Sequence, residues 1–104
     1  MTPENLGIDE SAIADFCRRW RIKQLSVFGS AAAGMLRPDS DIDLLVTFAH
    51  EADWTMFDHY HMENELSEMF AREVDLVNVR AIEENPNRIY RQQILGHAQV
   101  IYAA

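Results

Sequence analysis

Apolar residues recur along the chain with two different periods, and the changes of period mark out the elements. After Asp9-Glu10-Ser11, which offer helix-capping oxygens, Ile13, Phe16, Cys17 and Trp20 follow at three- and four-residue spacing. That is one apolar face of a helix, expected over residues 9 to 20. Ile22-Lys23-Gln24-Leu25-Ser26-Val27-Phe28 is a β-prone run closed by Gly29, and it predicts a first strand. Residues 30 to 40 start with Ser30 and three alanines, but Gly34 and Pro38 cannot sustain a helix. A short helical turn and then a loop is the expectation there.

The period then shortens to two. In Asp41-Ile42-Asp43-Leu44-Leu45-Val46-Thr47-Phe48, the residues Ile42, Leu44, Val46 and Phe48 fall on one side of a second strand, which puts Asp41 and Asp43 together on the other. From about Asp53 to Ala71 helical spacing returns, with Met56, Phe57, Tyr60, Leu66, Met69 and Phe70 as the expected buried stripe. Glu73 to Val79 predicts a third strand. After Asn85-Pro86-Asn87 a short helix is expected to carry Arg88, Ile89, Arg91 and Ile94, and Val100-Ile101-Tyr102 to form a terminal strand.

At 104 residues the chain is long enough to bury one core but not two, so a single domain over residues 1–104 is expected. Its 48% hydrophobic and 25% charged residues match a folded globular protein. No apolar run approaches the roughly 20 residues of a membrane-spanning helix, and the polar opening Met1 to Asn5 lacks the features of a signal peptide. The expected location is cytoplasmic, without membrane association.

Charge narrows the partners further. The net charge of −8 opposes broad contact with a phosphate backbone, so direct nucleic-acid binding is not expected. A basic protein surface or a divalent cation suits such a chain better. Cys17 is the only cysteine, which excludes an internal disulfide and leaves a small apolar side chain on the first helix.

Against that background one constellation stands out: Gly29-Ser30, ten intervening residues, then Asp41-x-Asp43, with Asp75 about thirty positions on. Glycine lets backbone approach a phosphate chain, and a serine at the start of a helical turn offers its hydroxyl and free N–H groups to phosphate oxygens. Carboxylates two apart on a strand sit roughly 6.5 to 7 Å apart at Cα and point the same way, so they can share one or two divalent ions. Mg²⁺, usually held by one or two carboxylates and the substrate's phosphates, is the natural occupant. Asp75 adds a third carboxylate if its strand lies beside the second. Aspartate is depleted inside strands, so two within one apolar run ask for a chemical reason.

The segment from Gly29-Ser30 through Arg37-Pro38-Asp39-Ser40-Asp41-Ile42-Asp43-Leu44-Leu45-Val46 resembles the DNA polymerase β-like nucleotidyltransferase superfamily. Val74-Asp75-Leu76-Val77 and the ending Gln93-Ile94-Leu95 to Val100-Ile101-Tyr102 extend the likeness. Within that superfamily the chain is most similar to the minimal nucleotidyltransferase antitoxins that act beside a HEPN-domain toxin. The resemblance implies an α+β fold, a small mixed β-sheet with helices on one face and the site at its edge. It implies ATP as substrate with Mg²⁺, two ions in the usual arrangement. By the same resemblance Gly29 and Ser30 are the triphosphate contacts and Asp41, Asp43 and Asp75 the metal ligands, with Asp75 also assisting deprotonation of the acceptor. The implied reaction moves AMP to a tyrosine hydroxyl of the cognate HEPN toxin, neutralising it, in a hetero-oligomer with that partner.

The chain departs from the family pattern at Ala31, Ala32 and Ala33, where relatives often carry a basic residue before the following glycine. An antitoxin that works by binding alone, with a degenerate nucleotide site, therefore stands as the alternative, and Arg37 is a loop candidate for the missing charge. Other polar features read as ordinary. His59 and His61 are two apart and do not share a helical face, Arg88 and Arg91 read as surface charge, and Met56, Met62 and Met69 as helical core. Trp54, beside a helix start, fits either packing or an interface anchor.

Overall fold

In the computed structural model, which describes residues 9–28, 41–50 and 52–104, Asp9 stands just ahead of α1 (Glu10–Arg19) and its Oδ1 accepts the Ser11 N–H at 2.9 Å. Ile13, Phe16 and Cys17 are buried, as their spacing requires. Arg21, at φ 54°, turns the chain into β1 (Ile22–Phe28). β2 (Ile42–Phe48) pairs antiparallel with β1, Phe28 lying opposite Asp43 and Ile22 opposite Phe48.

α2 (Met56–Phe70) begins with a reciprocal cap: Thr55 Oγ1 accepts the Asp58 N–H at 3.2 Å, and Asp58 Oδ2 accepts the Thr55 N–H at 2.9 Å. It ends at Ala71, which adopts the left-handed conformation at φ 54°. β3 (Val74–Asn78) then runs parallel to β2. The chain continues through α3 (Val79–Glu83) and α4 (Arg88–His97) to β4 (Gln99–Ala103), which pairs antiparallel with β1. The sheet order is β3-β2-β1-β4, with β3 and β4 at the edges.

This is the expected α+β fold with a mixed sheet. One core joins Ile13, Phe16 and Cys17 of α1 and Met62, Leu66 and Phe70 of α2 to Ile22, Leu25, Val27, Ile42, Leu44, Val46, Val74 and Leu76 of the sheet. Arg19 ties the two helices together, bonding Asp15 on its own helix and Glu65 on α2. Its guanidinium holds the Glu65 carboxyl below the usual carboxylate range. Trp54 resolves as a packing residue: its Nε1 donates to the Trp20 carbonyl at 2.8 Å and its ring meets Trp20 edge-on at 5.2 Å.

The α2 stripe needs correction. Its buried residues are Met62, Leu66 and Phe70, with Met69 packed against the core, whereas Met56, Phe57 and Tyr60 are 89%, 80% and 62% exposed. At about 100° per residue, Phe57 points roughly 180° and Tyr60 roughly 120° away from the direction of Leu66. The six-residue step from Tyr60 to Leu66 breaks the three- and four-residue spacing, so the two halves of the expected stripe face different ways. The third strand is also shorter than expected: Asn78 accepts the Arg80 N–H at 3.0 Å and so starts α3, a single turn too brief to leave a periodic signal.

Candidate active site

Alternation on two neighbouring strands builds the site. Ile42, Leu44 and Val46 of β2 enter the core beneath α1 and α2, and so do Val74 and Leu76 of β3. The residues between them, Asp43 and Asp75, must then stand on the opposite face of the sheet. The parallel register places them directly side by side, Asp43 with Asp75, Ile42 with Val74 and Leu44 with Leu76. Neighbouring strands are about 4.8 Å apart, so these two carboxylates share one small volume. The Ile42 N–H, bonded to the Glu73 carbonyl at 3.0 Å, fixes the start of the pairing. Asp41 is exposed and sits immediately before β2.

The electrostatics agree with that geometry. Asp43 is half-buried, and the loss of water pushes its carboxyl above the usual range. The negative charges of Asp75 and then Asp41 push it further in the same direction. Asp75 and Asp41 therefore both act on Asp43, and the charges it feels are negative. Such a grouping favours a cation, since a bound divalent ion relieves the repulsion that raises Asp43.

The donor set also limits how a metal would be held. Among the described residues, no three His, Cys, Asp or Glu side chains form a ready-made cage. Oxygen donors from one or two carboxylates, open to solvent and completed by substrate phosphates, fit Mg²⁺ and not a closed structural site. Gly29 and Ser30, the expected phosphate contacts, lie outside the described residues, as do Ala31 to Ala33 and Arg37. They follow Phe28, the register partner of Asp43.

Elsewhere the polar residues have local employment. His59 Nε2 lies 2.7 Å from the Leu76 carbonyl, and Arg91 bonds the carbonyl of Asn85 ahead of its own helix. Cys17 is buried and its thiol is pushed up to about 12, which keeps it in the unreactive thiol form near neutral pH. A cavity of about 280 Å³ lined by Lys23, Thr47, His50, Asn78, Arg80 and Glu83 lies at the far end of β2 from Asp43 and does not include the aspartates. What the residue pattern did not single out is the row His59, Glu63 and Ser67, whose contacts run along β3. Their four-residue spacing is visible in the sequence, but nothing there names the strand they touch.

A strand pair carrying adjacent aspartates above a two-helix layer is the framework of a nucleotidyltransferase. The nucleotidyltransferase domain family matches residues 10–100, and this chain belongs to it. A protein of Methanocaldococcus jannaschii, named as a candidate protein adenylyltransferase, is 37% identical over 68 residues, 65% of this chain and 66% of that protein. The chain thus spans just under two thirds of that relative's length. A solved structure described as a candidate minimal nucleotidyltransferase superimposes with a TM-score of 0.70 at 34% identity, covering 94% of both chains.

Chains from toxin–antitoxin crystal structures share the fold. One, from a complex with AMP-PNP, has a TM-score of 0.70 at 21% identity, covering 93% of this chain and 75% of that one. Another, from the tri-AMPylated Shewanella oneidensis HEPN toxin in complex with its MNT antitoxin, has a TM-score of 0.61 at 20% identity, with 91% and 70% covered. Among the described residues of this chain no helix is long and apolar enough to cross a membrane.

Proposed function

We propose that this chain is an antitoxin that transfers AMP from Mg-ATP to a tyrosine hydroxyl of a cognate HEPN-family toxin. The observation that carries the reading is the adjacency of Asp43 and Asp75 in the β2–β3 register, with Asp41 close enough for its charge to raise the Asp43 carboxyl. Membership of the nucleotidyltransferase family supports the reaction class, and the AMPylated toxin held by a structural neighbour supports the acceptor.

In this reading Asp41, Asp43 and Asp75 hold Mg²⁺, and Gly29 and Ser30 cradle the triphosphate. Bound Mg²⁺ supplies neutralisation of the triphosphate charge and of the charge that develops on the attacking and departing oxygens. Asp75, the exposed member of the pair, takes the proton of the tyrosine hydroxyl. The tyrosine oxygen forms its bond to the α-phosphorus as the bond to the β-phosphate oxygen breaks, and pyrophosphate leaves. Asp75 then returns the proton to water. A domain this small leaves little chain to wall off an acceptor, so in this reading the partner supplies the acceptor wall. The exposed Met56, Phe57 and Tyr60 support a protein as that partner.

Incubation with ATP, Mg²⁺ and the purified toxin, followed by intact mass measurement, tests the proposal. Addition of one or more AMP units is expected, and Asp43→Asn abolishes it. A toxin of unchanged mass that is nonetheless silenced would establish the second reading, neutralisation by binding alone, which Ala31 to Ala33 favour.

A further inference from the structure

β3 is an edge strand, and its outer backbone groups are bonded to side chains of α2 in place of another strand. The Val74 N–H donates to Ser67 Oγ at 3.1 Å, and the Leu76 N–H donates to Glu63 Oε2 at 2.8 Å. His59 Nε2 meets the Leu76 carbonyl at 2.7 Å, and because a carbonyl only accepts, that nitrogen carries a hydrogen. Val74 and Leu76 are the two neighbours of Asp75 in the chain. Both outer N–H groups and the Leu76 carbonyl are therefore held on one side while β2 holds the strand on the other.

The spacing explains why a helix can do this. Residues 59, 63 and 67 are four apart, which advances about 6 Å along an α-helix. Two residues of a strand advance about 6.6 Å. With α2 running opposite to β3, the step from Ser67 to Glu63 matches the step from Val74 to Leu76, His59 closes on the Leu76 carbonyl, and the three side chains serve as a substitute neighbour. Edge strands lacking such cover invite slippage, and a slip of one residue would turn Asp75 to the core face.

We infer that Glu63 is a positioning residue of the metal site, acting with Ser67 and His59 through the β3 backbone to keep Asp75 beside Asp43. The inference rests on the reading of Asp75 as a metal ligand. Glu63 touches neither metal nor substrate in this role. Its working part is an acceptor oxygen aimed at the Leu76 amide, so the charge is dispensable and the oxygen is not.

Mn²⁺ binding to the whole chain in the presence of a non-hydrolysable ATP analogue, measured by electron paramagnetic resonance, tests it without relying on turnover. Glu63→Ala is expected to weaken Mn²⁺ binding about tenfold, the lower end of what supporting partners of metal ligands contribute. Glu63→Gln, which keeps the acceptor, is expected to stay within about twofold of the parent, by the same scale. Ile13→Val on α1 gives a destabilised control whose Mn²⁺ binding stays at the parent value. Asp75→Asn separates the two ideas. If it weakens binding and Glu63→Ala does not, the positioning role is overturned while Asp75 keeps its assignment. If Asp75→Asn binds Mn²⁺ as the parent does, the assignment of Asp75 fails and the inference with it.

Discussion

Asp43 of β2 and Asp75 of β3 are direct register partners on two parallel strands, so the site pays for its readiness to bind a cation with like-charge repulsion. The Asp43 carboxyl, raised by burial first and then by Asp75 and Asp41, is harder to ionise in the folded chain than in the unfolded one. A group raised on folding stabilises fully below its unfolded value, 3.8 for Asp43, and that contribution is lost as pH rises through the folded value. Asn cannot ionise. Asp43→Asn is therefore expected to raise the melting temperature of the metal-free protein at pH 7, the gain shrinking as pH falls toward 3.8. Thermal unfolding in EDTA across that range checks it; a variant less stable than the parent at pH 7 contradicts the electrostatic account.

The same shift links metal to pH. A cation and a proton compete for Asp43, so Mg²⁺ binding releases part of a proton wherever the raised carboxyl is incompletely ionised. Affinity for Mg²⁺ with nucleotide is expected to be weaker at pH 5 than at pH 7.5, with a correspondingly larger proton release at the lower pH. Calorimetry in two buffers of different ionisation enthalpy measures both quantities. Equal affinity at the two pH values would mean that Asp43 is already ionised at pH 5 or does not face the metal.

Much of this arrangement is legible in the residues. Asp41 to Phe48 alternates, Leu45 apart, closely enough that the faces of β2 follow from it; the core positions Ile42, Leu44 and Val46 are buried as their period requires, and Leu45 is buried on the aspartate face. The adjacency of Asp75 was not deducible, because nothing local says which strands pair or in what register. Strand order is decided by the α2 crossover and the shared core beneath it. The row His59, Glu63 and Ser67 escaped for the same reason: each residue is an ordinary polar side chain until β3 is beside it. Gly29 and Ser30 rest on sequence alone.

Ala71 closes α2 in the left-handed region at φ 54°, where a Cβ is unfavourable and glycine is not. Ala71→Gly is expected to stabilise the protein by about 1 kcal/mol, a balance of relieved backbone strain against the greater freedom of glycine in the unfolded chain. For a domain of this size that is roughly 4 to 8 °C in melting temperature. Differential scanning calorimetry reads it directly.

Cys17 is buried in the α1 face, and burial pushes its thiol up to about 12. The thiolate is the reactive form, so at pH 8 the native protein should leave a disulfide reagent unconsumed over the time in which a free thiol reacts fully. Unfolding in guanidinium should release one equivalent per chain. Rapid reaction of the native protein would place Cys17 outside the core.

Helix α2 offers a test of which apolar residues hold the fold. Leu66 is fully buried between α2 and the sheet, whereas Phe57 is 80% exposed on the opposite side of the helix. Leu66→Ala removes buried methyl groups and leaves space the close-packed core cannot refill, which costs about 2 to 5 kcal/mol. Phe57→Ala removes a larger side chain that makes little use of the core, and is expected to alter stability by less than about 0.5 kcal/mol. Size alone predicts the reverse order. Urea unfolding of the two variants decides between them, and a Phe57→Ala loss comparable to that of Leu66→Ala would show that the first turn of α2 packs against part of this chain.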